Sequence, residues 1–349
     1  MCFQGGDDAF VLKTDFSVGR YVNCENITVR DSSISTVGAT ALEIGSETAG
    51  NFSDILWQNV EVHSAGDAAI GIVVMDGGFV SRVRYQNITA DNVTSPLQFY
   101  LGGRRLCGCP EGPPAAPWSK PCVAYPPGKP RAVGTIRDVV VDGLHVTNIH
   151  GLAHGGRNWT ATLDGQPEDA ADGVTAAFAR RIGPNITLRD LDWTYLGGGS
   201  DSTTDPPHLV NGWMNIGERP AYGLFLRNCD GVTVDGLKLQ WESAQRREQR
   251  PAFVVENALE IVLRDVEAER SLGYDVLERG GCERVQAPGL IVRKKTDDTV
   301  QDFESGVDAA RTGTQSGAGR TMTYWAGASN MTLANGKPSC MLEFHPGGW

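Results

Sequence analysis

A nine-residue pattern that recurs along the chain limits the possible folds more than any other feature of the sequence. Counted from the first residue of each copy, positions +0, +2, +5 and +7 are nearly always apolar, and position +4 is always Asn, Asp or Gly. Apolar alternation predicts a short strand with one buried face, and Asn, Asp or Gly tolerates the left-handed backbone of a sharp bend. Each copy therefore predicts a strand, a bend and a second strand. The copies begin at Ile27, Ile55, Val83, Val139, Ile186, Val232 and Ile261.

The spacing of the copies predicts a β-solenoid. The first three copies begin 28 residues apart, and the step to the fourth is twice as long. Coils of this length bury their apolar residues against neighbouring coils and rise by about 4.8 Å per coil. A β-sandwich has no shared bend position, and a propeller blade is nearer to about 40 residues. A third strand is expected before each copy, with outward side chains that line one long face. Its candidates are residues 9–13, 41–44, 71–75, 97–101, 223–226 and 252–255.

Composition and pattern together predict one all-β domain. The 43 Gly and 18 Pro residues are spread along the chain and punctuate many short strands. We expect the solenoid domain to span 1–293, with a loop insertion rich in Cys and Pro at 102–132. Residues 294–349 are rich in Gly, Thr and Asp, and we expect a partly irregular C-terminal cap or tail there.

Charge and hydropathy argue against two classes of partner. The net charge of −11 opposes binding to a phosphate backbone, so we expect no nucleic-acid partner. No apolar run approaches the roughly 18–20 residues of a membrane helix, so we expect no membrane partner. We also expect a monomer that uses no cofactor.

Cysteines and glycosylation sequons bear on the compartment. Cys107, Cys109 and Cys122 lie in the proline-rich insertion and lack a second CxxC or His pair, which favours disulfides over a zinc site. Seven Asn-X-Ser/Thr sequons suit a secreted protein, although several fall where the repeat favours Asn in any case. No signal peptide precedes Gly5, so either the protein is not exported or its true N-terminus is missing. The sequons are at Asn26, Asn51, Asn87, Asn92, Asn158, Asn185 and Asn330.

Several motifs within the repeat resemble one family of enzymes. The run from Gly6 through Asp7 and Asp8 to Lys13, and Ile44-Gly45-Ser46-Glu47 after it, resemble glycoside hydrolase family 28, the polygalacturonases. Residues 71–72, 83–88, 219–225 and 250–253 are also similar to that family, so the resemblance covers roughly 5–270. It implies a right-handed parallel β-helix, secretion onto plant or algal cell-wall polysaccharide, and inverting hydrolysis. By this resemblance Asp7 is the general acid and Asp8 helps to position water.

Three departures from the family pattern shift the expected substrate. The coil that would carry the family's third aspartate falls before Met1, so the chain resembles a truncated member. The family's Gly-His-Gly corresponds to 38–41, which contains no His, and its Arg-Ile-Lys corresponds to Val73-Val74-Met75. Apolar residues there cannot offset the desolvation of a galacturonate carboxylate. We therefore expect a divergent hydrolase that acts on another glycan, such as a rhamnogalacturonan-type or other acidic or neutral polymer.

Four polar residues are candidates for substrate binding on the same face. They are Lys13, Glu47, Asp76 and Arg104, and for each the alternative is a salt-bridge or surface residue. Trp57 and Tyr85 sit at inward positions of the repeat and are predicted to be core residues. A second hypothesis is a catalytically impaired β-helix that binds carbohydrate or mediates adhesion. A third and weaker one is a polysaccharide lyase, which would need a calcium site and a basic proton abstractor.

Overall fold

The chain folds as an all-β parallel β-helix, as the repeat predicts. The computed structural model describes residues 2–14, 22–102, 133–153, 157–165, 181–197, 219–242, 249–270, 272–295 and 341–342. Within these ranges every regular element is a strand. The described part contains no helix that is long and apolar enough to cross a membrane. The strands are β1 (Cys2–Gly5), β2 (Phe10–Thr14), β3 (Cys24–Thr36), β4 (Leu42–Thr48), β5 (Phe52–Val74), β6 (Phe79–Leu101), β7 (Thr135–Ile136), β8 (Val139–Ile149), β9 (Leu152–Ala153), β10 (Arg157–Asn158), β11 (Ala161–Asp164), β12 (Ile186–Tyr195), β13 (Leu224–Arg227), β14 (Asp230–Trp241), β15 (Phe253–Glu256), β16 (Leu259–Ala268), β17 (Val276–Arg279), β18 (Val292–Lys295) and β19 (Met341–Leu342).

The predicted register of the repeat is confirmed in full. The first residues of the seven copies pair with one another in parallel, coil after coil, from Ile27 to Ile261. We call the strands that follow these residues the first sheet. The residues at position +5 pair in the same order, from Ser32 to Val266, and form the second sheet.

A third sheet precedes the repeat copies, also as predicted. It consists of β2, β4, the last residues of β5 and β6, and then β11, β13, β15, β17 and β18, all parallel. The strands β11, β17 and β18 were not among the sequence candidates. At its first edge β2 pairs antiparallel with β19, where Met341 lies opposite Lys13. The parallel strand β18 ends at Lys295, two residues beyond the boundary expected at 293.

Left-handed residues at two positions of each coil make the corners. Position +4 has a positive φ in all seven copies, including Asn59 at 51° and Gly143 at 75°. The residue before each copy is also left-handed in all seven, including Asp54 at 58° and Arg82 at 54°. The nine-residue pattern predicts the corner at position +4 but not the corner before each copy. Each coil therefore turns twice within six residues, and this separates the first sheet from the strands on either side of it.

The core is a single column of apolar side chains inside the coils. In the second and third copies, positions +0, +2, +5 and +7 are all buried. Trp57 and Tyr85 are fully buried at neighbouring +2 positions, with ring centroids 6.0 Å apart and planes 2° from parallel. Their prediction as core residues is confirmed. Burial of each Val, Leu or Ile in such a column contributes about 1.5–3 kcal/mol, so stacking of the coils supplies most of the stability.

Polar ladders join the coils on the outside. At position +4 the amide of Asn59 donates to Asp31 Oδ1 over 2.9 Å and accepts from Asn87 Nδ2 over 2.9 Å. Arg189 Nη2 lies 2.6 Å from Asp142 Oδ2 at neighbouring +3 positions of the first sheet. Such exposed pairs contribute about 0–1 kcal/mol each. Their regular spacing reflects the same register that stacks the core.

Cysteines and sequons give a mixed outcome. Cys107, Cys109 and Cys122 lie outside the described residues, so disulfides in the insertion stay a prediction. Cys24 is disulfide-bonded, and Cys2, Cys229 and Cys282 are free thiols. Among the sequon asparagines, four have a positive φ. Asn87 is at position +4, where the repeat favours Asn, Asn26 and Asn185 are at the corner before a copy, and Asn92 is at position +9.

Candidate functional site

The paired aspartates lie on the turn between β1 and β2, at the first edge of the third sheet. Asp7 is exposed, and its carbonyl oxygen accepts a hydrogen bond from Thr36 Oγ1. The side chain of Asp8 is 14% exposed, and its Oδ1 accepts the backbone N–H of Thr40 over 3.3 Å. Thr40 belongs to the next coil, so the second coil fixes the carboxyl group of Asp8. The two neighbouring carboxyl groups therefore occupy different environments.

Glu43 joins Asp8 in a carboxyl pair that bridges the first two coils. It lies between Leu42 and Ile44, whose side chains enter the core, so its own side chain points away from the core. It is nevertheless only 7% exposed, and its carboxyl group lies close enough to that of Asp8 for each to change the pKa of the other. Two carboxyl groups that are buried side by side disfavour a second negative charge, because each charge is desolvated and the two repel each other. The pair therefore favours retention of one proton.

Burial and mutual charge raise both pKa values of this pair. The pKa of Glu43 lies well above its ordinary value, first because of burial and then because of the charge of Asp8. The pKa of Asp8 is also raised, chiefly by burial and with a contribution from the charge of Asp7. Lys13 partly offsets the shift at both groups. A carboxyl group that keeps its proton near neutral pH can act as a general acid.

Lys13 is the cation of this cluster. Its Nζ lies 2.6 Å from Glu47 Oε2 and 3.8 Å from Asp8 Oδ2. Burial lowers the pKa of the ammonium, but the carboxylates of Glu47, Asp8 and Glu43 outweigh that effect and raise the pKa above its usual range. Lys13 is therefore a fixed positive charge that is already paired with carboxylates.

The structure brings together most of the residues singled out in the sequence. Asp8, Lys13 and Glu47 are in contact, and Asp7 is adjacent to them along the chain. Asp76 instead belongs to a turn: it is 5% exposed, and its Oδ2 accepts the backbone N–H of Thr48 over 2.9 Å. That carboxyl group holds the turn, so a role in substrate binding stays a prediction that the geometry does not favour. Arg104 lies outside the described residues.

A row of outward side chains continues from Glu43 along the third sheet. Glu43 pairs with Gly71, Gly71 with Gln98, and Gln98 with Thr162. Gly71 leaves one step of this row without a side chain. Gln98 is 4% exposed, and its Nε2 is buried without a hydrogen-bond partner. In the neighbouring row of the third sheet, Val73 lies opposite Gly45. Val73 is the first of the three residues that correspond to the Arg-Ile-Lys of glycoside hydrolase family 28.

A separate polar groove crosses the outer face of the second sheet. It encloses about 440 Å³ and spans five coils. Its polar lining comprises Glu61, His63, Thr89, Asp91, His145, Thr147, Asp192, Thr194 and Gln240. Several of these groups are already bonded, such as Thr147 Oγ1 to Asp91 Oδ1 over 2.7 Å. Within the described residues no group of three or more His, Cys, Asp or Glu side chains is arranged to hold a metal ion.

Sequence reasoning did not identify Glu43 and Gln98. Both occur in strands that were predicted, at positions flanked by apolar core residues. Aligning the third strands coil by coil would have placed Glu43 beside Val11, which is three residues after Asp8. The same alignment would have placed Gln98 two coils further along the same row. The register of the repeat therefore indicated the positions of Glu43 and Gln98, and no local motif did.

Fold and site together define a parallel β-helix protein with a carboxyl cluster on one outer edge. Comparisons with family models, with curated proteins and with solved structures find no match. The resemblance to glycoside hydrolase family 28 therefore stays a prediction that rests on the residues quoted for it.

Proposed function

We propose that the protein is a glycoside hydrolase of the family 28 type, which cleaves O-glycosidic bonds in pectic or related cell-wall polysaccharide. The observation that carries this proposal is the largely buried carboxyl pair of Asp8 and Glu43 beside the exposed residue Asp7. A buried proton donor beside a solvated carboxylate is what glycoside hydrolysis requires. The substrate class implies an extracellular protein, and the proposed chemistry needs no cofactor and only one copy of the chain.

The environments of the two aspartates support roles opposite to those that the resemblance implies. The carboxyl pair acts as one acid: Asp8, its more exposed member, passes the proton that the pair retains to the glycosidic oxygen as the bond from that oxygen to the anomeric carbon breaks. Asp7, which is exposed, accepts a proton from the water whose oxygen attacks the anomeric carbon from the opposite side. Glu43 is a positioning residue whose buried carboxyl group helps the pair to retain its proton. The product sugar has the inverted configuration.

A reducing-sugar assay with carboxamide variants tests this function. The substrate panel comprises polygalacturonate, rhamnogalacturonan and neutral cell-wall glycans. We expect Asp8→Asn and Asp7→Asn each to lower the hydrolysis rate by about 10²–10⁴, because each removes a proton-transfer group. Asp54→Asn is the matched control, since Asp54 is a corner residue that pairs with Arg82 at the surface, away from the carboxyl pair. We expect it to retain full activity.

Two results would reject the assignment. Unchanged activity in Asp8→Asn, with an unchanged unfolding transition, would exclude Asp8 as the acid. Initial release of the retained anomer, followed by proton NMR, would exclude inverting hydrolysis.

A carbohydrate-binding or adhesion module is the second candidate. The polar groove on the second sheet favours it, because a row of hydroxyl, imidazole and carboxylate groups across five coils can follow an extended glycan. Binding that is lost on substitution of His145 in the groove and kept in Asp8→Asn, without any hydrolysis, would select this candidate.

A further inference from the structure

We propose that Asn26 carries an N-linked oligosaccharide, which covers the open edge of the first sheet. The proposal assigns a modification site and goes beyond the proposed function, on which it rests only for the extracellular setting. A protein that a eukaryotic cell secretes passes through the compartment where Asn-X-Ser/Thr sequons are glycosylated. Asn26 begins such a sequon, Asn26-Ile27-Thr28.

The backbone does not require an asparagine at position 26. Asn26 has a φ of 58° and occupies the corner before the first copy. Arg82 and Glu260 occupy the same corner in other coils with φ of 54° and 52°, so this corner accepts side chains of different kinds. Asn87 differs, because it is at position +4, where the repeat favours Asn, Asp or Gly. The fold therefore accounts for the sequon asparagine at 87 and not for the one at 26.

The amide of Asn26 is accessible and unbonded. Asn26 is exposed, and within the described residues its side chain makes no hydrogen bond. Two other sequon asparagines belong to polar ladders between stacked coils: Asn87 Nδ2 donates to Asn59 Oδ1, and Asn185 Nδ2 donates to Asp138 Oδ1 over 2.8 Å. A bulky substituent on Asn26 Nδ2 therefore disturbs no ladder.

The first sheet ends in an open edge at Asn26. Residues 25–30 of β3 pair with β5, and no other strand that the structure describes pairs with them, since β1 pairs with β3 only at 33–36. Ile27 is consequently half-exposed, whereas Ile55 and Val83, at the same position of the next two copies, are 1% and 0% exposed. An open strand edge next to apolar residues favours edge-to-edge aggregation.

An oligosaccharide on Asn26 would cover this edge, because it is a bulky, hydrated group attached beside Ile27. Its attachment forms a bond between Asn26 Nδ2 and the anomeric carbon of the first sugar, and Nδ2 loses one proton. The anomeric carbon gives up its bond to the diphosphate of a lipid-linked oligosaccharide donor. The lipid diphosphate leaves with the electrons of that bond.

Mass spectrometry of glycopeptides tests the site in the full chain, made behind a secretion signal in a eukaryotic host. We expect the peptide that contains Asn26 to carry an oligosaccharide in the parent and in Thr28→Ser, which keeps the sequon. Thr28→Ala removes the sequon and leaves Asn26 and its corner in place, so the same peptide should carry none. Thr28 is exposed, and neither substitution changes the core.

Light scattering of the same proteins tests the protection of the edge. We expect Thr28→Ala from the eukaryotic host to self-associate severalfold more than Thr28→Ser from that host, because its edge is uncovered. The control is the same pair of variants from a bacterial host without N-glycosylation, where neither edge is covered. There the two variants should self-associate equally, and thermal unfolding checks that both are folded.

An unmodified Asn26 in the secreted parent would overturn the site. Equal self-association of the two Thr28 variants from the eukaryotic host, or an equal difference between them in both hosts, would overturn the protection of the edge. None of these measurements uses hydrolysis, so they distinguish failure of this proposal from failure of the proposed enzyme activity.

Discussion

Glu43 lies between two core residues in a short strand, and its position in the sequence alone is typical of a solvated surface side chain. Stacking of the coils changes its environment, because Asp8 and Thr40 lie against it and exclude water. A carboxyl group in such surroundings favours its neutral form. The charge of Asp8 raises the pKa of Glu43 further, so one residue affects the protonation of another that lies 35 positions away.

This burial predicts how stability depends on pH. The pKa of Glu43 is higher in the folded than in the unfolded chain, so the folded state binds more protons. Its contribution is fully present below pH 4.5, the ordinary pKa of Glu, and is lost as pH rises through the folded pKa. Glu43→Gln imitates the protonated form at every pH. We expect its melting temperature to match that of the parent in acid and to exceed it increasingly as pH rises.

Melting curves between pH 4 and pH 9 check this expectation. Glu267→Gln serves as the control, since Glu267 is exposed, and its curve should follow that of the parent. A constant difference between Glu43→Gln and the parent across this range would contradict a raised pKa at Glu43.

At the scale of the element, the corner at position +4 shows how a local rule defines a coil. Asn, Asp and Gly tolerate a positive φ, and the chain places one of them at every such corner. The corner before each copy obeys no such rule, since Arg82 and Glu260 occupy it in two coils with φ of 54° and 52°. Closure of the coil imposes that conformation on them. The sequence therefore predicts the corner at position +4 and cannot predict the corner before each copy.

Asn59→Leu tests the energetic contribution of a corner. Leu at a φ of 51° is strained by roughly 1–2 kcal/mol, and the change also removes the two ladder bonds, to Asp31 and from Asn87. With about 0.5 kcal/mol for each exposed bond, we expect the free energy of unfolding to fall by about 2–3 kcal/mol. Chemical denaturation measures this change.

Asn59→Gly separates the two causes, because glycine keeps the backbone conformation and loses only the bonds. It should lose about 1 kcal/mol. Equal losses in Asn59→Gly and Asn59→Leu would show that the backbone strain contributes nothing.

At the scale of the whole molecule, the coils form a column in which each coil contacts only its neighbours. The middle coils, built from β5, β6 and β8, are covered on both sides by stacked strands. Among the strands that the structure describes, β18 pairs in parallel only with β17, and all four of its residues are exposed. Stability in such a column is a sum of local terms, so it should vary along the axis.

Hydrogen exchange followed by mass spectrometry should reveal this gradient. We expect the amides of β5, β6 and β8 to exchange slowest and those of β18 to exchange many times faster, because a terminal coil can open without disturbing the others. Uniform protection from β5 to β18 would instead indicate a single cooperative unit.

The sequence by itself determined the fold class, the register of the first sheet, the corner at +4 and the aromatic core residues. All of these follow from the periodicity of apolar residues and from backbone preferences, which act within a few residues. It also placed Asp8, Lys13 and Glu47 among the candidate residues. Only the tertiary structure decided that Glu43 is buried beside Asp8, that Asp76 holds a turn and that Gln98 Nε2 is buried without a partner. Burial and hydrogen bonding of a side chain depend on residues from other coils, about 28 positions away, and local patterns carry no information about them.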